Sequence, residues 1–555
     1  MTRLLIYAAL FVIPGLASAQ SAYLNPDNKE DQLLDRIGIK FNTPYLRFSS
    51  IRPFSRKQVV ADLEQVISDT TVQRARQKDA LMLSEVDRAN IQSFLMSNIE
   101  WSTYDPDFTS VRPVLKRFYK TKANAFEIRT PDLDFILNLV FQYQQFNEPG
   151  NNKVFLNSRG VSARAVIDKK VAFSFYLTEN QEGTPLYVDR WVNKYDAVPG
   201  IGFYKIFKNN YDYFDMRSSV SWSAFRFLDM QLAYDTNFIG NGYRSLLLSD
   251  AANSYMFLKL NWHSGKWVYQ NIFAELFPYH VITYDRPYPR KYFRAHYLNY
   301  SATSWLNIGL FEGTIMGQSR RMPGALFNPV IFLNLTGKND VGNRSYVGAD
   351  IKVNVFRRLQ LYGQFVADRL NLEGLKEKSW DNRFGYQAGF KYIDVFGLKN
   401  VDIQVETNRV RPYTYAANDS ITSYTHYNQP FVHPMGANFR EYIGLIKLQP
   451  LKRVYLQGKL IRTMQGLDIG TQNYGSNPFR LYHTRAANTG VTIGSGDKAH
   501  GTIASILASY EWRENLFFET SFTRRSYRTE QTGINNTSFF SAGIRWNMAR
   551  REYDF

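Results

Sequence analysis

Apolar and polar residues alternate along most of the chain, from about residue 132 onward. In the segment 346–355, Val347 and Ile351 share one face of the pattern, and Asp350 and Lys352 share the other. A repeat of two residues predicts β-strands with one apolar and one polar face. Most of these segments run about ten residues, where soluble strands average five or six, so we expect strands that cross a membrane at a tilt.

Eighteen segments carry this pattern. They predict strands at 133–145, 157–168, 170–180, 214–224, 227–236, 254–263, 265–275, 291–301, 303–315, 344–355, 358–368, 383–396, 398–410, 438–449, 452–463, 500–512, 515–527 and 537–548.

The connections between these segments alternate in length. Every second one is tight, as at Asp168-Lys169, whereas most of the others are long, as at 181–213, 411–437 and 464–499. Short turns on one side and long loops on the other are typical of outer-membrane barrels. The sequence therefore predicts an all-β transmembrane barrel of about 18 antiparallel strands, with both ends of the barrel chain on the periplasmic side.

The region before the barrel follows a different period. Val59 and Leu63 continue a helical spacing after Ser55, and Ser84 precedes a second apolar helical pattern. We expect a small α-helical periplasmic segment over residues 20–125, followed by the barrel over 126–555.

Residues 1–19 have the features of a cleavable signal peptide. Arg3 is followed by a short apolar run over 4–13 and by the small residues Ala17-Ser18-Ala19. The apolar run is too short to span a bilayer as a helix, and no run of about 18 apolar residues follows it. The expected location is the outer membrane of a Gram-negative-type bacterium.

Composition and charge narrow the possible partners. The 37 Tyr and 41 Phe suit strands and the aromatic girdles of membrane barrels. The formal net charge of +18 favours a polyanion as partner. Export makes nucleic acid improbable and leaves acidic polysaccharides and lipopolysaccharide phosphates. The chain has no cysteine, which excludes disulfides and thiol catalysis, and no cofactor is expected.

A first candidate site is the glycine-rich stretch 240–250, GNGYRSLLLSD. Its glycines allow unusual backbone dihedrals, and Arg244 could then bind an anion. The alternative is a structural loop folded into the lumen, with Arg244 paired to Asp250 and the leucines 246–248 packed.

A second candidate site is the stretch 426–441, HYNQPFVHPMGANFRE, which concentrates amides, aromatic rings and arginine, the groups that recognise sugars. The candidate polysaccharide-binding residues here are His426, Asn428, Gln429, Asn438 and Arg440. One alternative is a rigid, proline-pinned structural loop. Another is metal ligation by His426 and His433.

Arg320 and Arg321 form a further basic candidate in the loop 316–343, for which a solvated charge pair is the alternative interpretation. No stretch carries a serine-nucleophile, zinc-protease or phosphate-loop motif. We therefore expect a protein that is not an enzyme.

Three stretches carry a resemblance to a known family: Arg52-Pro53-Phe54-Ser55-Arg56, GNGYRSLLLSD and HYNQPFVHPMGANFRE. The chain resembles the Wzi-type capsule-assembly outer-membrane proteins in their Bacteroidetes form, and also a gliding-motility outer-membrane protein. The resemblance implies an 18-stranded barrel with a helical periplasmic segment, acting as a non-enzymatic lectin that attaches capsular polysaccharide to the cell surface.

The leading hypothesis is therefore a surface polysaccharide-binding barrel whose lumen is closed by inward loops and whose outer loops present the binding site. Two alternatives remain: a channel for anionic solutes, and an interaction component of gliding or secretion machinery. The expected partners are acidic surface polysaccharide, outer-membrane lipid or lipopolysaccharide, the barrel-assembly machinery, and periplasmic proteins at the helical segment.

Overall fold

The computed structural model describes residues 22–555 with several gaps. The residues left out of the description are 25–27, 76–82, 104–107, 111–113, 115–116, 152–153, 209, 279–289, 318–321, 334–342 and 420. The predicted signal peptide, at residues 1–19, also lies outside the described residues.

Eighteen antiparallel strands form a closed barrel, as the alternating pattern predicts. In chain order they are β1 Leu133–Asn147, β2 Phe155–Ile167, β3 Val171–Gly183, β4 Asn210–Phe225, β5 Leu228–Asp235, β6 Tyr255–Ser264, β7 Trp267–Leu276, β8 Lys291–Ser301, β9 Leu306–Met316, β10 Asn343–Val355, β11 Leu359–Arg369, β12 Arg383–Tyr392, β13 Val401–Val410, β14 Phe439–Leu451, β15 Val454–Leu467, β16 Asp497–Arg513, β17 Leu516–Thr529 and β18 Gly533–Trp546.

The last strand closes the barrel on the first. β18 pairs with β1 from Phe540 opposite Asn147 to Trp546 opposite Phe141. Each strand thus has a hydrogen-bonded neighbour on both sides, which satisfies the backbone polar groups that lipid cannot. Shorter strands occur at Tyr23–Leu24, Ile51–Arg52, Phe54–Ser55, Phe126–Arg129, Lys205–Phe207, Phe238–Ile239, Thr425–His426 and Gln429–Pro430.

Alternation along each strand separates a lipid-facing wall from a polar lumen. On β1, Leu139 and Tyr143 point outward and are 50% and 44% exposed, whereas Val140 and Gln142 point inward and are buried. Because successive side chains point to opposite faces, a single strand supplies both surfaces.

The two rims of the barrel differ in the length of their connections. One rim, here the short-turn rim, has turns such as 168–170 and 514–515, and the other, the long-loop rim, carries connections such as 236–254, 411–438 and 468–496. Among the described residues, no helix is both long and apolar enough to cross a bilayer.

Helices occur mainly before the barrel, in agreement with the predicted helical segment. They are α1 Asn28–Phe41, α2 Arg56–Ala75 and α3 Glu85–Ser97, with α4 Leu186–Tyr195 following β3. Ser84 caps α3 in a reciprocal pair of hydrogen bonds with Asp87. Ile37, Leu63 and Ile91 are fully buried at the centre of the core that joins α1, α2 and α3.

The helical segment docks onto the short-turn rim. Arg36 of α1 reaches Asp402 at 2.5 Å and Asp394 at 2.9 Å, both near the turn between β12 and β13. Lys29 lies 2.7 Å from Glu511, beside the turn between β16 and β17 on the same rim. The chain then continues into the lumen, where Ile51–Arg52 pairs with Phe238–Ile239 of the long-loop side.

Residues 547–555 fold back into the lumen, whereas the sequence pattern extended the last strand to residue 548. Arg550 lies 2.6 Å from Glu519, Asp554 lies 2.7 Å from Lys459, and the ring of Phe555 lies 5.5 Å from that of Trp191. Charged partners on the inward faces of β15 and β17 hold this tail inside the barrel.

Candidate functional site

The loop 236–254 is folded into the lumen. This agrees with the structural alternative that the sequence offered for the stretch containing Arg244. Its leucines 246–248 have no exposed surface. The hydroxyl of Tyr415 donates to the Leu246 carbonyl at 2.9 Å, and that of Tyr424 donates to the Leu247 carbonyl at 2.9 Å. Two inward loops are thereby fixed to each other.

Arg244 is half-buried on this loop and lies among acidic groups of the barrel. Its guanidinium lies 3.5 Å from Glu441 and donates to the carbonyl of Asp554, while its backbone N–H donates to Glu406 at 3.1 Å. Burial alone would lower the pKa of Arg244, but Glu441, Tyr243, Asp554 and Glu406 together outweigh it and raise the pKa above the ordinary value. The charge is thus balanced within the protein, by Glu441 and not by Asp250.

His426, Gln429 and Asn438 bond mainly to backbone groups of neighbouring loops. His426 Nδ1 accepts from the Phe277 N–H at 3.2 Å, and its Nε2 donates to the Ser254 carbonyl at 3.3 Å. Burial lowers the pKa of His426 to about 3. Gln429 accepts from the Gly200 N–H at 2.8 Å. In the described geometry, each of these residues holds its own loop to a neighbouring loop through these hydrogen bonds.

His433 has its ring orientation fixed by two neighbours. Its Nδ1 accepts from the Met435 N–H at 3.2 Å, so Nε2 carries the proton and donates to Glu441 at 2.8 Å. Burial lowers the pKa of His433 in spite of Glu441, which keeps the ring neutral at neutral pH. The described residues contain no group of three or more His, Asp or Glu side chains arranged to hold a metal ion.

The remaining predicted residues lie apart from one another. Arg440 is exposed and points outward from β14, away from the lumen. Asn428 is half-buried in a turn with a φ of 62°. Arg320 and Arg321 lie outside the described residues.

Among the described residues, two polar cavities of ligand size lie inside the barrel. The larger, of about 440 Å³, is lined by Arg244 and Gln429, by the aromatic side chains of Trp191 and Phe555, and by Arg217. The second, of about 300 Å³, is lined by hydroxyls and amides and shares Arg217 with the first. Their volumes fall at the lower end of the range of about 300–1,000 Å³ typical of ligand pockets.

A further cluster lies on the long-loop rim, where the loops 370–382 and 468–496 meet. We call Trp380, Tyr482 and Arg485 the outer platform. The Trp380 and Tyr482 rings lie 5.1 Å apart, and the Arg485 guanidinium lies 4.1 Å from the centre of the Trp380 ring. All three side chains are partly exposed.

Backbone hydrogen bonds hold the outer platform in place. The Trp380 N–H donates to the Asn488 carbonyl at 3.0 Å, and the Gly490 N–H donates to the Glu377 carbonyl at 2.9 Å. The geometry of the platform is therefore preorganised, which lowers the entropic cost of binding a ligand.

The charge of the outer platform is available to a ligand. Arg485 donates to Asn488 Oδ1 at 2.6 Å and to the Tyr482 carbonyl at 3.3 Å. It forms no ion pair with an acidic side chain in the part of the chain that the structure describes. A guanidinium beside aromatic rings can pair with a carboxylate while a ring contacts sugar C–H groups.

Sequence reasoning missed the outer platform because Trp380 lies about 100 residues before Tyr482 and Arg485. The signal that could have found it is the occurrence of Trp380, Tyr482 and Arg485 in two long loops of the same rim. Aromatic and arginine residues in exposed loops are enriched at binding sites.

The fold and the polar, plugged lumen define the class: an 18-stranded outer-membrane-type β-barrel. Among solved structures, the chain is similar to Wzi of Escherichia coli, described as an outer-membrane protein involved in group 1 capsule assembly and a carbohydrate-binding β-barrel. The TM-score is 0.57 at 13% identity, covering 97% of this chain and 100% of that one. At this identity the likeness shows the fold.

Two other solved structures match with lower TM-scores. OccAB2 of Acinetobacter baumannii has a TM-score of 0.43 at 10% identity, covering 74% of this chain and 98% of that one. OprD of Pseudomonas aeruginosa has a TM-score of 0.41 at 11% identity, covering 74% and 94%. No family model matches the sequence, and no curated protein matches it either.

Proposed function

We propose that the chain is a non-enzymatic outer-membrane protein that binds acidic polysaccharide at the cell surface and thereby assembles or anchors capsular or exopolysaccharide there. The observation that carries this proposal is the outer platform, a preorganised pair of aromatic rings with a guanidinium that has no acidic partner among the described residues. The likeness to Wzi, described as carbohydrate-binding, supports it.

The plugged lumen also favours binding over transport. The helical segment docks at one rim, the loops 236–254 and 411–438 pack inside, and residues 547–555 lie along the lumen wall. The long-loop rim then faces the outside of the cell, because short turns face the periplasm in bacterial outer-membrane barrels.

Binding by the purified chain tests the proposal directly. We expect the double substitution Trp380→Ala with Arg485→Ala to weaken binding of acidic surface polysaccharide by about tenfold or more, since it removes both a stacking ring and a charge-assisted hydrogen bond. The measurement is isothermal titration calorimetry, in which the polysaccharide is titrated into the chain in detergent micelles.

A matched control lies on the opposite rim. Trp512 is 49% exposed, and the guanidinium of Arg513 lies 5.0 Å from the centre of its ring. The double substitution Trp512→Ala with Arg513→Ala should leave polysaccharide binding unchanged. Equal affinity for wild type and both double variants would remove the outer platform from the proposal.

The cellular role is tested in a deletion strain carrying either double variant. Surface polysaccharide is assayed separately on washed cells and in the medium. We expect the platform variant to release polysaccharide into the medium, because export is intact and retention fails. Unchanged retention with lost spreading motility would favour the gliding or secretion role instead.

A further inference from the structure

Three arginines lie together on the outer, membrane-facing wall of the barrel. Arg409 of β13 and Arg440 of β14 are direct partners across the strand pair, and Met464 of β15 is the next partner of Arg440. Arg462 lies two residues from Met464 on the same face, which places it diagonally next to Arg440. We call Arg409, Arg440 and Arg462 the outer basic patch.

Aromatic residues surround the patch. The Arg409 guanidinium donates to the hydroxyl of Tyr386 at 3.2 Å and to that of Tyr442 at 3.1 Å. Both rings point outward and are 38% and 49% exposed. Tyrosines in this position mark the girdle where hydrocarbon meets headgroups.

The position along the strands agrees with such a boundary. Arg409 and Arg462 each lie eight residues from the first residue of their strand at the short-turn rim, Val401 and Val454. With a rise of about 3.3 Å per residue and a tilt of about 40°, this distance corresponds to about 20 Å along the barrel axis. The apolar band of a barrel is about 25 Å tall, so the patch lies near its outer edge.

Among the residues that the structure describes, the patch has no negatively charged partner. Among the described residues, no acidic side chain forms an ion pair with Arg409, Arg440 or Arg462. Like charges directly opposite each other on one face of a sheet are destabilising, and arginine is costly against hydrocarbon. An anion from the membrane would remove both penalties.

Another outward arginine, at the same height on the wall, does have an acidic partner. Arg159 of β2 lies eight residues from Ile167 at the short-turn rim. Its guanidinium lies 3.0 Å from Glu179, directly opposite on β3. In the described part of the wall, a carboxylate therefore lies at one such position and none pairs with the outer basic patch.

We propose that the outer basic patch binds the phosphate group of an outer-leaflet lipid, a phosphorylated glycolipid whose acyl chains lie against the apolar wall below. The planar guanidinium groups match phosphate oxygens in geometry as well as charge. Arg524 and Arg528, exposed on the same face of β17, extend the basic surface. This site is separate from the outer platform and does not depend on polysaccharide binding.

The test uses the full chain purified in a zwitterionic detergent. The combined substitution Arg409→Gln, Arg440→Gln and Arg462→Gln is compared with Arg159→Gln. Each variant is titrated with lipid A in mixed micelles, and native mass spectrometry measures the bound lipid. We expect at least about 100-fold weaker binding in the combined variant, because each charge-assisted contact contributes roughly tenfold. The control Arg159→Gln should bind like wild type.

Three further probes separate the sources of the anion. Dephosphorylated lipid should not bind, inorganic phosphate alone should not compete at matched concentration, and acidic polysaccharide should not displace the lipid. Equal binding of lipid A by wild type and the combined variant overturns the proposal, and so does full competition by inorganic phosphate or by polysaccharide. If the combined variant does not fold, the single substitution Arg440→Gln, at an exposed side chain, gives the same comparison.

Discussion

Asn438 shows how one buried amide can hold the long-loop rim together. Its Nδ2 donates to the carbonyls of Gly466, Tyr474 and Ser495 at 2.8 to 3.0 Å, and its Oδ1 accepts from the Gly494 N–H at 2.7 Å. The sequence predicts a sugar-binding amide here, and in the described geometry its hydrogen-bonding groups are used by backbone.

The substitution Asn438→Asp should destabilise this rim strongly. It keeps the shape of the side chain and tolerates the φ of 57°, but it directs a carboxylate oxygen at carbonyl oxygens. We expect a loss of about 3 kcal/mol in the free energy of unfolding, from unsatisfied buried groups. The measurement is urea unfolding in lipid, together with protease cleavage within 468–496.

The exposed Thr489, on the same loop, supplies the control for Asn438. Thr489→Ala should unfold at the urea concentration of wild type. A variant Asn438→Asp that keeps wild-type stability and protease resistance would show that the amide does not clamp the loops, and would strengthen its interpretation as a ligand-binding residue.

At the scale of elements, α1 and α3 are held to the barrel by a buried ionic network. Asp87 lies 2.8 Å from Arg36 and 3.0 Å from Lys40, and both cations also reach Asp394. Burial alone would raise the pKa of Asp87, but Arg36 and Lys40 outweigh it and hold the pKa well below the ordinary value. Asp394 has its pKa lowered by the same two cations.

The sign of these shifts predicts acid sensitivity. A carboxyl group whose pKa is lowered in the folded state stabilises that state above its ordinary pKa of about 4, and the contribution is lost as pH falls through the lowered value. We therefore expect α1 and α3 to undock in acid while the barrel persists. Hydrogen exchange within residues 28–41, measured in steps from about pH 7 down to about pH 2, checks this; constant protection over the whole range would contradict it.

The substitution Asp87→Asn tests the same network at neutral pH. It leaves two buried cations short of one carboxylate, which should cost about 3–5 kcal/mol in docking. Limited proteolysis of the helical segment gives the readout. Glu85→Gln is the matched control on the same helix, because the Glu85 side chain is 87% exposed and its ion pair with Lys452 is long, at 3.6 Å.

At the scale of the whole molecule, the lumen is filled from three directions. The helical segment enters from the short-turn rim, the loop 236–254 enters from the long-loop rim, and they meet where Ile51–Arg52 pairs with Phe238–Ile239. Residues 547–555 run between them along the wall, with Lys459 contacting both Glu552 and Asp554. A plug with this many contacts predicts low conductance.

Planar-bilayer recording measures this directly. We expect the full chain to show little ionic current, and the combined substitution Glu552→Gln with Asp554→Asn to raise it, because Lys459 loses both acidic partners and the tail detaches. Glu530→Gln, at an exposed turn residue, is the control. Large, steady current through the unsubstituted chain would instead favour the channel alternative.

The sequence by itself determined the barrel. Strand positions, the count of eighteen and the alternation of tight turns with long loops follow from local patterns, because a strand reveals its two faces within ten residues. The helices around Leu63 and Ile91 could be predicted equally well, since helical spacing is also local.

The tertiary structure alone decided what the loops do. The local sequence around Asn438 is the same whether its amide binds a sugar or three backbone carbonyls. Only the positions of residues 466, 474 and 495 in the folded chain distinguish the two. The outer platform joins loop residues about 100 positions apart, and two contacts of the inward tail span 31 and 311 positions. Contacts at such separations leave no periodic trace in the chain, because they are set by how the closed barrel brings its loops together.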